Sequence, residues 1–144
     1  MDLKLLLCMF LVYQHNFKVL HWKAKGHAFN YMHDLANTYY LKLETDADTI
    51  AEICISLGID PVSYMECAET ISSSEMKFLV LSANTDYEIE TFLSNSILMF
   101  NNMIESMETL ITPDSPIGVK VELENMIAYY YKQANFILKR PSED

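Results

Sequence analysis

The chain has 144 residues, 51% of them apolar, and a net charge of −10 from 20 acidic and 10 basic side chains. Such a length fits a single domain over 1–144, and such an apolar content fills a core and argues against a disordered chain. Three glycines and four prolines are too few for a sandwich or barrel of many short strands, and the acidic balance opposes docking on a nucleic-acid backbone.

Three cysteines, Cys8, Cys54 and Cys67, make an odd count without a C-x-x-C pair. Neither a disulfide framework nor a thiolate zinc site is expected. The three read as small buried hydrophobes in a reducing, cytoplasmic setting. Leu5 to Tyr13 is an unbroken apolar run behind Lys4. It mimics a signal-peptide core, but His15, Asn16 and Lys18 follow it, no small-residue cleavage site appears, and it is too short to span a bilayer. It reads as the buried start of a helix, with no membrane partner.

In chain order, Asp2 to Lys25 lacks Gly and Pro and predicts a first long helix, stopped at Gly26. A second runs from Phe29 to Leu57 and closes at Gly58-Ile59-Asp60-Pro61, with glycine just past the end and proline soon after. Ser63 to Glu69 predicts a short helix, Ser72-Ser73-Ser74-Glu75 a break, and Met76 to Leu81 a further turn or two. Thr85 and Glu88 form a capping box for a third long helix ending near Ile111. Thr112-Pro113-Asp114-Ser115-Pro116 is a turn, and a fourth long helix covers Ile117 to Lys139. Two short connections and one long crossover carrying a short helix describe an all-α four-helix bundle, with the ferritin-like topology among the candidates.

All four histidines, His15, His21, His27 and His33, lie in the first quarter of the chain. A di-iron site inside one bundle needs a Glu-x-x-His on each of two helices, and this sequence has no such motif. On the second helix, with His33 as zero, Asn37 falls at about 40°, Asp48 at about 60° and Glu52 at about 100°. They share a face, yet His33 and Glu52 are about 28 Å apart along the axis, far beyond the roughly 2 Å reach of metal ligands. The midpoint of 33 and 52 is 42.5, and so is that of 37 and 48. Two copies of this helix, crossing antiparallel there, would bring His33 to Glu52 and position 37 to Asp48, twice per dimer. His21 stands as far before His27 as His33 stands after it, so an antiparallel hairpin sets the two at one height. The candidate site is His21 and His33 from one chain with Asp48 and Glu52 from another, a donor set suited to iron, zinc or manganese. The bland alternative is a solvated acidic face (Asp34, Glu44, Asp46, Asp48, Glu52) with His33 in an ordinary polar interface.

His21-Trp22-Lys23-Ala24-Lys25-Gly26, followed by Phe29, His33, Asp48 and Glu52, resembles the Dps family of ferritin-like proteins, most closely from His15 to Gly58. Ser115 to Lys139 is similar to the last helix of that family. The resemblance implies a ferritin-like bundle assembled as a hollow dodecamer, which oxidises iron at two-fold interfaces and stores the mineral as protection against peroxide. It implies His21 and His33 as ligands from one subunit, Asp48 and Glu52 from its neighbour, and Trp22 beside the site as an electron donor or a sink for radical damage. Two departures stand out. Asn37 replaces an aspartate frequent in the family, which weakens one of two adjacent metal positions and favours a single non-haem iron. Lysine-rich tails are absent, so DNA binding is not expected.

Three functions follow as expectations. The first is an iron-oxidising store; the second is a non-catalytic shell or dimer holding one metal, zinc included, for structural purposes. The third is a bundle in which His33 merely pairs with Glu52 of a second copy. Without the motif, Trp22 reads as core packing. His15 is expected to be structural and His27 solvated in its turn, and Tyr129-Tyr130-Tyr131 cannot all face one way. Asp114, Glu122 and Glu124 cluster near the start of the last helix, where acids favour the dipole.

Overall fold

The computed structural model describes residues 1–73 and 78–139. Five α-helices follow one another: α1 (Leu3–Lys23), α2 (Phe29–Ser56), α3 (Tyr64–Ser73), α4 (Ile89–Leu110) and α5 (Ile117–Lys132), the last continued by a π-helical turn over Gln133–Ile137. No strand occurs among the described residues. α1 and α2 form one antiparallel hairpin, α4 and α5 the other, and the crossover between them carries α3. This is the ferritin-like four-helix bundle expected from the sequence.

Each long helix buries one stripe. In α1, Leu6, Phe10, Tyr13, Phe17 and Leu20 recur at alternating steps of four and three and are fully buried. In α2, Met32, Ala36, Tyr39 and Leu43 do the same, and Ile50 follows two turns on. The stripes meet in an aromatic centre: Phe17 stacks on Phe100 at 5.2 Å, Tyr39 meets Phe100 edge-on at 4.8 Å, and Tyr130 lies 5.1 Å from Phe100. Each such side chain contributes about 1.5–3 kcal/mol by leaving water. By length and composition α1 could cross a membrane, but its apolar stripe is spent on this core. Cys8, Cys54 and Cys67 are buried and free, as expected.

Helix ends follow from local chemistry. The Asp2 side chain accepts the Leu5 amide at 2.7 Å and caps α1. Past α2, Gly58 adopts a φ of +74°, the Ile59 amide donates to the Cys54 carbonyl and the Gly58 amide to that of Ile55. That pair of bonds satisfies two orphan carbonyls, and the left-handed residue is best a glycine.

Four boundaries differ from the sequence expectation. α1 ends at Lys23, because the Lys25 amide donates to the Tyr87 carbonyl and the Tyr87 amide to the Lys23 carbonyl, a parallel bridge between Ala24 and Tyr87. The same bridge ties Tyr87 to the end of α1, and Thr85 caps nothing; α4 starts at Ile89 with Glu88 as its N-cap and no side-chain cap bond. The capping box lies instead at α3, where Ser63 Oγ accepts the Glu66 amide and Glu66 Oε1 accepts the Ser63 amide, each at 3.2 Å. α3 also runs through Ser73, past the serines expected to end it. Ser74, Glu75, Met76 and Lys77 lie outside the described residues. Residues 78–82 are not helical: buried Asn16 donates to the Leu79 carbonyl at 2.7 Å and accepts the Leu81 amide at 3.0 Å, clipping an extended segment onto α1. The last helix changes pitch at Gln133, where the Leu138 amide reaches back to the Gln133 carbonyl.

One buried carboxylate stabilises the bundle. Asp46 accepts the Tyr130 hydroxyl at 2.6 Å and the Lys42 ammonium at 3.1 Å. Burial pushes the phenols of Tyr13, Tyr39 and Tyr130 above their ordinary range, and the Asp46 charge pushes Tyr130 further. An acid with a raised folded-state pKa loses stability once the unfolded chain ionises. Stability is therefore expected to fall above about pH 10, the unfolded phenol value. Tyr130→Phe leaves Asp46 short of a donor and is expected to cost about 1–3 kcal/mol at neutral pH while flattening the alkaline decline. Urea unfolding at pH 7 and pH 10.5 checks both.

Candidate metal centre

The α1–α2 turn ends α1 in a way that frees a carbonyl. In a continuing helix the His21 carbonyl would accept the Lys25 amide; here that amide goes to Tyr87. The freed carbonyl accepts His33 Nδ1 at 2.9 Å, and the His33 carbonyl accepts His21 Nδ1 at 2.8 Å. The two imidazoles stack at 3.7 Å between ring centroids, 21° from parallel, and Phe29 covers His33 at 5.1 Å.

This exchange decides the tautomers. A carbonyl only accepts, so each Nδ1 must carry the proton, and in the neutral ring each Nε2 keeps a free lone pair. A metal-binding histidine ordinarily has this arrangement, with the second nitrogen anchored to a carbonyl. The two imidazoles thus fit a metal with nitrogen donors. Nitrogen-15 NMR is expected to show His21 and His33 both as Nδ1–H tautomers; an Nε2–H signal from either would contradict the geometry.

The oxygens lie elsewhere. Asp48 and Glu52 sit further along α2, exposed, and neither has a hydrogen-bonding or ionic partner among the described residues. Asp48 lines an open cleft of about 580 Å³ between α1, α2 and the crossover, together with Tyr40, Glu44 and Tyr64. Among the described residues of one chain, no three His, Cys, Asp or Glu side chains gather closely enough to hold a metal ion. Asn37 is exposed on the ridge between the imidazoles and Asp48.

Around the imidazole pair, Trp22 is 55% exposed, which removes the core-packing reading. His15 is also exposed and meets the Trp22 ring edge-on at 6.1 Å. His27 is exposed in its turn. Tyr129, Tyr130 and Tyr131 face three ways: Tyr130 inward, Tyr129 under the Lys42 ammonium at 4.8 Å, Tyr131 outward. Asp46 does not belong to the acidic face where the sequence grouped it. It falls at about 220° from His33 on a helical wheel, a signal present in the sequence.

No family model matches the chain. A curated relative, DNA protection during starvation protein 2 of Bacillus anthracis, is 27% identical over 116 residues, 76% of each chain. The chain has the ferritin-like fold and is similar to Dps proteins. The structure of the Dps protein of Vibrio cholerae O1, itself a member of a broad superfamily of ferritin-like diiron-carboxylate proteins, superposes with a TM-score of 0.77 at 18% identity, covering 95% of this chain and 84% of that one. Antigen TpF1 from Treponema pallidum superposes at 0.79 with 19% identity over 94% and 85% of the two chains. Mycobacterium smegmatis Dps does so at 0.78 with 20% identity over 94% and 81%. The imidazole pair sits on the α1–α2 hairpin rather than at the centre of the bundle, whose interior is filled by Phe17, Phe100, Tyr39 and Tyr130.

Proposed function

We propose that this Dps-like chain binds and oxidises iron at a site shared between two copies, stores the product inside a shell, and so protects against peroxide. The observation that carries the reading is the reciprocal exchange between His21 and His33. It presents two anchored nitrogen donors on one chain, with no carboxylate beside them among the described residues.

The exposed ridge of α2 supplies the complement. Asn37, Leu41, Glu44, Asp48, Glu52 and Ile55 are all exposed. Under a two-fold axis at position 42.5, residue 37 lies opposite 48, 41 opposite 44 and 33 opposite 52. A second copy crossing there brings Asp48 and Glu52 to the imidazole pair. Leu41 and Ile55, 52% and 64% exposed, gain cover from the same contact. Two imidazoles and two carboxylates suit iron(II) as substrate, and zinc or manganese as competitors. Two iron(II) ions supply the two electrons that reduce one peroxide, with two protons, to two waters. Trp22, next to His21 in the chain and open to solvent, is placed to supply one of these two electrons where only one iron(II) is bound. Repetition of the two-fold contact in a closed dodecamer makes an enclosed acidic store, and three free buried cysteines accord with a cytoplasmic location.

A second reading rests on Asn37. A neutral amide is a poorer ligand for a hard cation than a carboxylate, which favours one metal held for assembly without turnover. Anaerobic iron(II) titration followed by peroxide, on the wild type and on Asp48→Ala, separates the two. Rapid oxidation that the substitution abolishes is the expected result. Tight binding without oxidation would establish the structural reading. A particle mass equal to one chain would sink both.

A further inference from the structure

α3 rests on the bundle through one side chain. Of its 10 residues only Cys67 is buried, while Tyr64 and Met65 stand 73% and 76% exposed. The Cys67 thiol donates to the Cys8 carbonyl on α1 at 3.6 Å. It also hydrogen-bonds the Cys8 thiol itself. The crossover helix is thus seated on α1 by two sulfurs in contact, both free.

The pair is buried but not sealed. Cys67 lines an open, mainly apolar cleft of about 370 Å³, with Leu11, Val12 and His15 of α1 and Ile71 of α3. No acid or lysine lines that cleft among the described residues, so a small uncharged oxidant such as hydrogen peroxide meets no charge on entering. Cys67 borders the cleft and Cys8 lies behind it, fully buried. Burial pushes the Cys67 thiol up to about 12 and raises the Cys8 thiol as well. The thiolate is the nucleophile, so the pair reacts slowly and answers sustained exposure rather than a brief pulse.

We propose that Cys8 and Cys67 are a peroxide-sensitive thiol pair, which closes a disulfide within one chain and pins α3 to α1. In the first step the Cys67 sulfur attacks one oxygen of hydrogen peroxide and the O–O bond breaks. Cys67 becomes a sulfenic acid, and one water leaves with the thiol proton. In the second step the Cys8 sulfur displaces the sulfenic hydroxyl, which departs as water with the Cys8 proton. Two thiols give two electrons and two protons, and one peroxide becomes two waters. The link joins positions 59 apart in sequence, so it also closes a long loop of the unfolded chain. It needs no metal and stands apart from the shared-site reading above.

The test maps the link. The assembled protein, cleared of iron with a chelator, is treated with hydrogen peroxide at pH 9, where more thiol ionises, until the exposed Met65 is fully converted to its sulfoxide. The chains are then unfolded and alkylated. Peptide mass mapping is expected to find Cys8 joined to Cys67 within one chain, with Cys54 alkylated. Amide exchange in α3 is expected to slow by about tenfold or more in the oxidised particle and to recover on reduction. Cys8→Ser is expected to leave Cys67 as a sulfenic acid that dimedone traps, and Cys54→Ser to link as the wild type does. Light scattering checks that each variant keeps the wild-type particle mass, and Cys8→Ala replaces Cys8→Ser if the latter does not assemble. Cys8 and Cys67 both alkylated at that dose overturn the proposal. So does a link through Cys54 or between chains, an overoxidised Cys67 beside a free Cys8, or a link that leaves α3 exchange unchanged.

Discussion

The candidate centre depends on one backbone amide leaving its helix. Had the Lys25 N–H completed the last turn of α1, the His21 carbonyl would have been taken and His33 would have had no acceptor there. The bridge to Tyr87 withdraws that amide, ends α1 at Lys23 and ties the chain before α4 to it. A contact between the α1–α2 turn and the end of the crossover thus sets both where two helices begin and end and which nitrogen of each imidazole is protonated. The link runs from tertiary contact to helix boundary to side-chain chemistry.

α2 divides its acids between two environments. Asp46 turns inward, where a tyrosine hydroxyl and a lysine replace the water it loses. Asp48 and Glu52 turn outward and keep their charge free for a partner. Two residues of sequence separate a carboxylate that organises the bundle from one that is available for recognition. The same helix therefore fixes the fold with one face and, on the proposed function, offers ligands with the other.

Much of this was legible beforehand, and the misses share a cause. The long helices, the crossover, the Gly58 stop and the pairing of His21 with His33 follow from periodicity and turn residues, which are local. The capping box at Thr85 failed because a non-local bridge claimed the backbone it needed. The extended run at 78–82 was misread because Asn16, far away in sequence, supplies its hydrogen bonds. Asp46 was misassigned although its helical angle was available, because acids were counted along α2 without being divided by face. The tautomers of the imidazoles were beyond the sequence, since they depend on which carbonyl lacks an amide.

The hairpin that carries the imidazoles also bears on when a complete site can exist. His21 and His33 are twelve residues apart, so their half of the centre is a local structure that closes with the first helical pair, before any second chain arrives. On the proposed shared-site reading, the carboxylate half comes only by encounter. Ligand and assembly are then thermodynamically linked: any ion that prefers the four-donor arrangement pulls chains together, and any rise in chain concentration tightens the hold on the ion. A solitary chain offers two imidazole nitrogens and, among the described residues, no carboxylate beside them. On the proposed function, iron chemistry is thereby confined to the assembled particle.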